Sequence, residues 1–265
     1  HVDIGQHDAG RVDDHAGAHA LPRGLIGHEI FRVAAFEEDF ERGALERVLA
    51  TRRRPTTLGH GVRFDLAANR HHAGHGDVCG IDEAGRAPLA GPVVAGCVFI
   101  PRDSRKLGFI RAINDSKKLS KDKRETLFDL ICAHASFGVG MASPQEIDDL
   151  NIHHATLLAM KRAFENLRGS KPAAAIIDGK FAPSLPCRTQ TVIKGDGLSK
   201  SIAAASIIAK VTRDRLMCAL HEKFPAYGWD RNAAYPTPEH LEAIQSHGIT
   251  RHHRRSFAPC ARAIS

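Results

Sequence analysis

The 265-residue chain carries 43% hydrophobic and 25% charged residues, a globular balance with enough length to bury a core of ordinary size. No stretch approaches the roughly 18–20 consecutive apolar residues a membrane helix needs, and the six scattered cysteines form no C-x-x-C pair or disulfide framework, so a reduced, cytoplasmic setting with no membrane partner is expected. The net charge of +7 is uneven: residues 1–77 hold ten Arg, no Lys and twelve acids, whereas residues 78–265 hold 27 basic against 18 acidic side chains. The second part is therefore either a solvated basic surface or a binder of a polyanion such as nucleic acid.

Taken in chain order, residues 1–76 are rich in His, Arg, Ala and Gly, with one plausible helix over residues 30–50 and a loop-like tract Arg70-His71-His72-Ala73-Gly74-His75-Gly76. They read as a poorly ordered extension outside the functional unit, and the His cluster lacks the carboxylates or regular spacing of a metal site. The chain begins at His1 with no basic-then-apolar leader, so a fragment or processed product without a secretory signal is expected. From residue 77 the signals become orderly. Residues 78–81 and 93–100 are short, β-branched strand patterns. Leu119-Ser120 opens a helix with Leu127, Phe128, Ile131 and Ala135 on one side, and residues 137–141 alternate like a strand. Ser143-Pro144-Gln145-Glu146 is a capping box with Pro at the first helical position. A longer helical pattern runs from Asn151 to a stop at Gly169 and Pro172. Strands over 174–177 and 189–193, a helix over 199–224 and a last helix from Thr237-Pro238 to Gly248 complete the series. A hairpin followed by alternating helices and strands predicts an α/β mixed sheet with helices on its faces.

Four acids fall where strands end. Asp82 and Glu83 close the first strand, Asp178 follows residues 174–177, and Asp196 follows residues 189–193. On neighbouring strands these carboxylates converge, and a hard divalent cation, Mg²⁺ or Mn²⁺, relieves their repulsion. Two such ions about 3.5–4 Å apart can activate a water and stabilise the leaving oxygen in phosphodiester cleavage. Position alone also fits ordinary turns at Asp178-Gly179 and Asp196-Gly197. Consecutive acids inside an apolar stretch, as at Asp82-Glu83, are harder to account for, because burying them unpartnered is expensive.

Several blocks together resemble ribonuclease HII, the type 2 ribonuclease H family. Asp82-Glu83-Ala84-Gly85-Arg86-Ala87-Pro88-Leu89-Ala90-Gly91 is similar to its opening D-E-x-G-R-G-P-L-x-G signature. Asn114-Asp115-Ser116-Lys117-Lys118-Leu119-Ser120, Glu146 to Ile152, Ile177-Asp178-Gly179, Lys194-Gly195-Asp196, Ala204 to Asp214, Tyr235-Pro236-Thr237 and His252 to Phe257 follow in family order. The resemblance covers residues 78 to 262 and implies a ribonuclease H-like fold, a catalytic domain over 77–262 and a small helical C-terminal part over about 213–262. It implies an endonuclease, acting as a cytoplasmic monomer, on RNA–DNA hybrids and on duplex DNA with embedded ribonucleotides. Asp82, Glu83, Asp178 and Asp196 would hold Mn²⁺ or Mg²⁺, and cleavage 5′ of a ribonucleotide would leave 5′-phosphate and 3′-hydroxyl ends. Gly85, Arg86 and Ala87 would meet the ribose 2′-hydroxyl. Tyr235 would stack at the RNA–DNA junction, and Lys117 and Lys118, at a helix start, would bind phosphate.

The chain departs from the family at Ala87, which stands where the second glycine of G-R-G is expected, and at Ala234, which replaces a usual glycine before Tyr235. If φ is positive at Ala87, its Cβ strains the loop by roughly 1–3 kcal/mol. Ala233 stands where many relatives have a basic residue. These changes raise a second expectation, a hybrid-binding protein with weakened or lost catalysis. Arg86 separates the chain from type 3 ribonucleases H, which usually have Thr there. A junction resolvase would prefer branched DNA, and nothing in the order of the blocks supports one.

Overall fold

The computed structural model of the protein describes residues 77–169 and 172–264. The helix expected over residues 30–50 and the extension around it lie outside the described residues. Five strands form one sheet in the order β3-β2-β1-β4-β5, with β1 at Val78–Ala84, β2 at Val93–Phe99, β3 at Ser136–Ala142, β4 at Ala174–Asp178 and β5 at Arg188–Val192. β1 runs antiparallel to β2, and β2 to β3, while β1–β4 and β4–β5 are parallel. The sheet is mixed, as the alternation of elements predicts. Among the described residues the α-helices are α1 Phe109–Ala112, α2 Lys121–His134, α3 Pro144–Glu165, α4 Lys200–Lys223, α5 Trp229–Asn232, α6 Pro238–His247 and α7 Ala258–Ala263. The short helices α1, α5 and α7 have too few turns to show a 3.6-residue period, which is why sequence reading passes over them.

The two faces of the sheet bury different helices. Cys79, Ile81, Val93, Ala95, Cys97, Ala175 and Ile177 pack with Ile147, Ala155, Ala159, Met160 and Phe164 of α3. The alternate residues of β1 and β4, Val78, Ala174 and Ile176, pack with Val192 and with Ile202 of α4. Burial on both sides explains why β1 reads as a continuous apolar run and not as an alternation. α4 lies directly on the strands because two positions have no side chain. A Cβ on Gly80 would stand 2.2 Å from the Ser201 carbonyl carbon, and one on Gly96 would stand 2.5 Å from the Ala205 oxygen.

Helix starts follow the sequence signals. Ser143 and Glu146 form the reciprocal capping box, with Glu146 N–H donating to Ser143 Oγ at 3.1 Å and Ser143 N–H donating to Glu146 Oε2 at 3.0 Å. α3 is two helices meeting at Asn151 (φ 66, ψ 162), whose Oδ1 accepts from the N–H groups of His153 and His154. Thr237 caps α6, and Gly248 ends it at φ 74. Beyond α4 the chain forms a second small core in which Leu89 and Ala90 of the β1–β2 loop pack with Met217, Tyr227, Trp229, Ala234, Ile244 and Cys260. The loop that leaves the carboxylate-bearing strand is thus anchored in the C-terminal helical part.

Candidate active site

Asp82 lies inside β1, not after it. The antiparallel pairing continues through Asp82↔Gly96, Glu83↔Ala95 and Ala84↔Val94, whereas the parallel pairing with β4 stops at Ile81↔Ile177. The next residue on each parallel strand is an acid, so Asp82 and Asp178 stand side by side on the face that carries α4. Asp178 Oδ1 accepts a hydrogen bond from Gly195 N–H at 2.7 Å. That bond, with Lys194 in the left-handed region (φ 57), folds the 3-10 turn Gly195–Gly197 back toward β4 and presents Asp196. Glu83 alternates to the other face, and Arg86 Nη1 donates to its Oε1 at 3.4 Å.

The electrostatics match four acids sharing one end of the sheet. Asp82 is 6% exposed, and burial pushes its carboxyl well above the usual range, with repulsion from Glu83, Asp178 and Asp196 adding to the shift. Burial also raises Glu83, against the attraction of Arg86. Burial raises Asp196, and the neighbouring charges of Asp115 and Asp178 raise it further. Among the described residues no three His, Cys, Asp or Glu side chains form a ready-made metal-ligand group. The carboxylates repel one another, Glu83 leans to Arg86, and one Asp178 oxygen is occupied by Gly195. The donor set is nevertheless all carboxylate oxygen, the chemistry that fits hard divalent cations, and the repulsion is what such a cation would relieve.

Sequence reading missed Asp115 as a member of this site. Lys200 Nζ donates to the carbonyls of Arg111 and Ile113, and Ser116 N–H donates to Ser206 Oγ, so α4 draws the 111–118 segment up to Asp196. Asp115 lies close enough to Asp196 there to raise its carboxyl by like charge, and Lys117 acts on Asp196 as a nearby positive charge. The expectation of a helix start at Lys117 and Lys118 is corrected. They occupy a 3-10 turn, Ser116–Lys118, capped by Asp115, and α2 begins only at Lys121. Both lysines are exposed, and what they offer is charge near the carboxylates and not the dipole of a long helix.

The loop after β1 reaches the same end of the sheet. Gly85 has φ 93, and a Cβ there would stand 2.1 Å from Arg213 Nε. Arg86 and Ala87 are exposed. Ala87 does not have positive φ, so the strain expected there is absent, since the loop turns at Gly85 and Gly91 instead. Left-handed alanines do occur, at Ala233 (φ 46) and Ala234 (φ 64), immediately before Tyr235. Tyr235 is 43% exposed and lies close enough to Arg213 and Arg254 to act on both electrostatically. The loop, Tyr235, the Lys117 turn and the carboxylates therefore border one end of the parallel strands.

Comparison with known proteins agrees with this arrangement. Residues 79–260 match the family described as Ribonuclease HII. A ribonuclease HII of Burkholderia thailandensis is 54% identical over 188 residues, covering 71% of this chain and 86% of the relative. Among solved structures, the ribonuclease H2 of Pyrococcus horikoshii OT3 superposes with a TM-score of 0.61 at 28% identity, covering 71% of this chain and 96% of that one. The ribonuclease HII of Archaeoglobus fulgidus, solved in complex with PCNA, gives a TM-score of 0.55 at 29% identity, covering 68% of this chain and 95% of that one. A Bst-RNase HIII in complex with Mn²⁺ shares the fold alone, at 18% identity and a TM-score of 0.55, covering 73% of this chain and 71% of that one. With the matched family spanning the sheet, both helical layers and the C-terminal part, this chain belongs to the ribonuclease HII family and is a ribonuclease H acting on RNA–DNA hybrids.

Proposed function

We propose that the protein cuts the RNA strand of hybrids and also cuts 5′ of single ribonucleotides embedded in duplex DNA, by metal-assisted phosphodiester hydrolysis with residues 77–262 as the catalytic domain. The observation that carries this reading is the parallel register that sets Asp82 beside Asp178 with Asp196 folded back toward them. In this reading Asp82, Glu83, Asp178 and Asp196 hold two divalent ions, Mg²⁺ or Mn²⁺. When bound, such ions supply Lewis-acid stabilisation of the phosphate and a more acidic water. A water oxygen bonds to phosphorus, the bond from phosphorus to the 3′-oxygen breaks, and the proton ends on that oxygen, leaving 5′-phosphate and 3′-hydroxyl products. Lys117 and Lys118 hold phosphate, the Gly85–Ala87 backbone meets the ribose 2′-hydroxyl, and Tyr235 stacks at the RNA–DNA junction.

The test is a duplex carrying one ribonucleotide, incubated with Mg²⁺ or Mn²⁺ and resolved on a denaturing gel. One cut 5′ of the ribonucleotide, lost in Asp82→Asn, is the expected result. Folded protein that leaves the strand whole overturns the reading. The left-handed Ala234 favours one alternative, a hybrid binder with weakened turnover. It is distinguished by binding without cutting, restored to cutting by Ala234→Gly.

A further inference from the structure

Two guanidinium groups in this fold are fully buried without a carboxylate partner among the described residues. Arg254 is 0% exposed and Arg213 is 1% exposed. Arg254 Nη2 donates to Gly85 O at 2.6 Å and to Gly91 O at 2.9 Å, Nη1 donates to Arg86 O at 2.9 Å, and Nε donates to Gly91 O at 3.0 Å. Arg213 donates to the carbonyls of Ala90, Pro92 and Ala233 at 3.1, 3.2 and 3.0 Å. All but one of these acceptors belong to the loop between β1 and β2, and the last belongs to the turn before Tyr235. Burying two like charges close together is unfavourable, and Arg254 is pushed down to about 9 by burial and by its neighbour Arg213. Well-packed apolar side chains would hold a loop with less penalty. What they would not supply is a rigid fork of donors that sets the direction of several carbonyls at once.

That direction matters because a trans peptide sets C=O and N–H on opposite sides. With the Gly85 and Arg86 carbonyls turned inward onto Arg254, the N–H groups of Arg86 and Ala87 turn outward. Neither has a protein acceptor among the described residues. We propose that Arg254, supported by Arg213, is a positioning residue for substrate specificity, holding the Gly85–Ala87 backbone so that two consecutive N–H groups face the sugar of the ribonucleotide. This rests on the reading above that the loop meets the 2′-hydroxyl. Asp148 completes the device. It accepts from the N–H groups of Arg255 and Ser256, at 2.9 Å each, and from Ser256 Oγ at 2.6 Å, so the end of α3's first segment clamps the chain next to Arg254.

The test compares equilibrium binding of an embedded-ribonucleotide duplex with binding of the same duplex in all-DNA form, using Asp82→Asn as the non-cutting parent. Arg254→Lys keeps the charge and loses the fork. It should reduce the preference for the ribonucleotide about tenfold, the worth of one well-placed hydrogen bond. Affinity for the all-DNA duplex should stay unchanged, and in the otherwise wild-type chain the Mn²⁺-induced rise in melting temperature should persist. Affinities that fall in parallel, or an unchanged preference, would overturn the proposal. A parent with no preference for the ribonucleotide would instead overturn the reading of the loop, and this proposal with it. If Arg254→Lys does not fold, Asp148→Ala decides, because it removes only the clamp. It must lower the preference in the same direction, and an unaltered ratio refutes the role.

Discussion

At Asp82 the fold holds a carboxyl that is nearly sealed from water and surrounded by three other acids. Such a group destabilises the metal-free protein, since desolvation and like charge both oppose ionisation. Asp82→Asn should therefore raise the melting temperature of the metal-free protein, while the rise produced by Mn²⁺ in the wild type should largely disappear, both read by thermal shift. Cleavage should fall by roughly 10²–10³-fold or more, the usual effect of deleting one preorganised charge-stabilising group. Backbone strain sits elsewhere than the sequence suggests. Ala87 is a departure from the family's glycine but turns in an ordinary direction, whereas Ala233 and Ala234 carry positive φ. A non-glycine residue there costs roughly 1–2 kcal/mol, and Ala233 is the less buried of the two. Ala233→Gly should stabilise the protein by about 1 kcal/mol in urea unfolding. No change, or a loss, would mean that contacts of the Ala233 methyl outweigh the strain. Both alanines were visible as departures from a pattern, but φ is a property of the closed turn and not of the residue name.

The C-terminal elements meet through a chain of histidines whose protons can be placed. Thr250 N–H donates to His253 Nδ1 at 3.0 Å, so His253 carries its proton on Nε2 and faces His240 Nε2 at 3.2 Å. Trp229 Nε1 also donates to His240 Nε2, leaving the His240 proton on Nδ1 to donate to the Tyr235 carbonyl at 3.0 Å. The chain works only with both rings neutral. Burial lowers His240, and burial with the neighbouring His240 and His252 pushes His253 down to about 3. Below pH 6.5 the unfolded chain takes up protons that the folded histidines refuse. Stability is thus complete above that pH and lost as pH falls, for His253 down toward about 3 by up to roughly 1.4 kcal/mol per unit, with His240 acting in the same direction. Urea titrations from pH 7 down to about pH 4.5 should show this acid limb, and His253→Gln should flatten it. An identical slope in the variant would rule out His253 as its source. A sequence shows His252-His253-Arg254-Arg255 as a basic tail. The fold buries the first three and turns them into internal supports, which no local pattern announces because His240 and the β1–β2 loop, which His253 and Arg254 meet, lie far from them in the sequence.

For the molecule as a whole, the basic surplus of residues 78–265 is the long-range field expected of a domain that receives a polyanion, and hybrid affinity should fall linearly with the logarithm of salt concentration. Because all four metal-binding candidates, the β1–β2 loop and Tyr235 belong to residues 77–262, a chain starting at residue 77 should cut an embedded-ribonucleotide duplex as fast as the full chain. A large loss would assign residues 1–76 a part in substrate binding. The amino-acid sequence by itself determined the elements long enough to show a period, the caps at Ser143 and Thr237, and the ordered blocks that mark the family, because these depend on neighbours within a turn or a strand. It also marked Asp82-Glu83 as acids out of place in an apolar run. Only the tertiary structure decided that β1 and β4 are parallel neighbours, so that Asp82 and Asp178 share one level. It likewise decided that Asp115 joins them and that Arg213 and Arg254 turn the loop's carbonyls inward. Those facts depend on strand order and on residues far apart in the sequence coming into contact, and a strand's apolar pattern is the same whichever strand it pairs with.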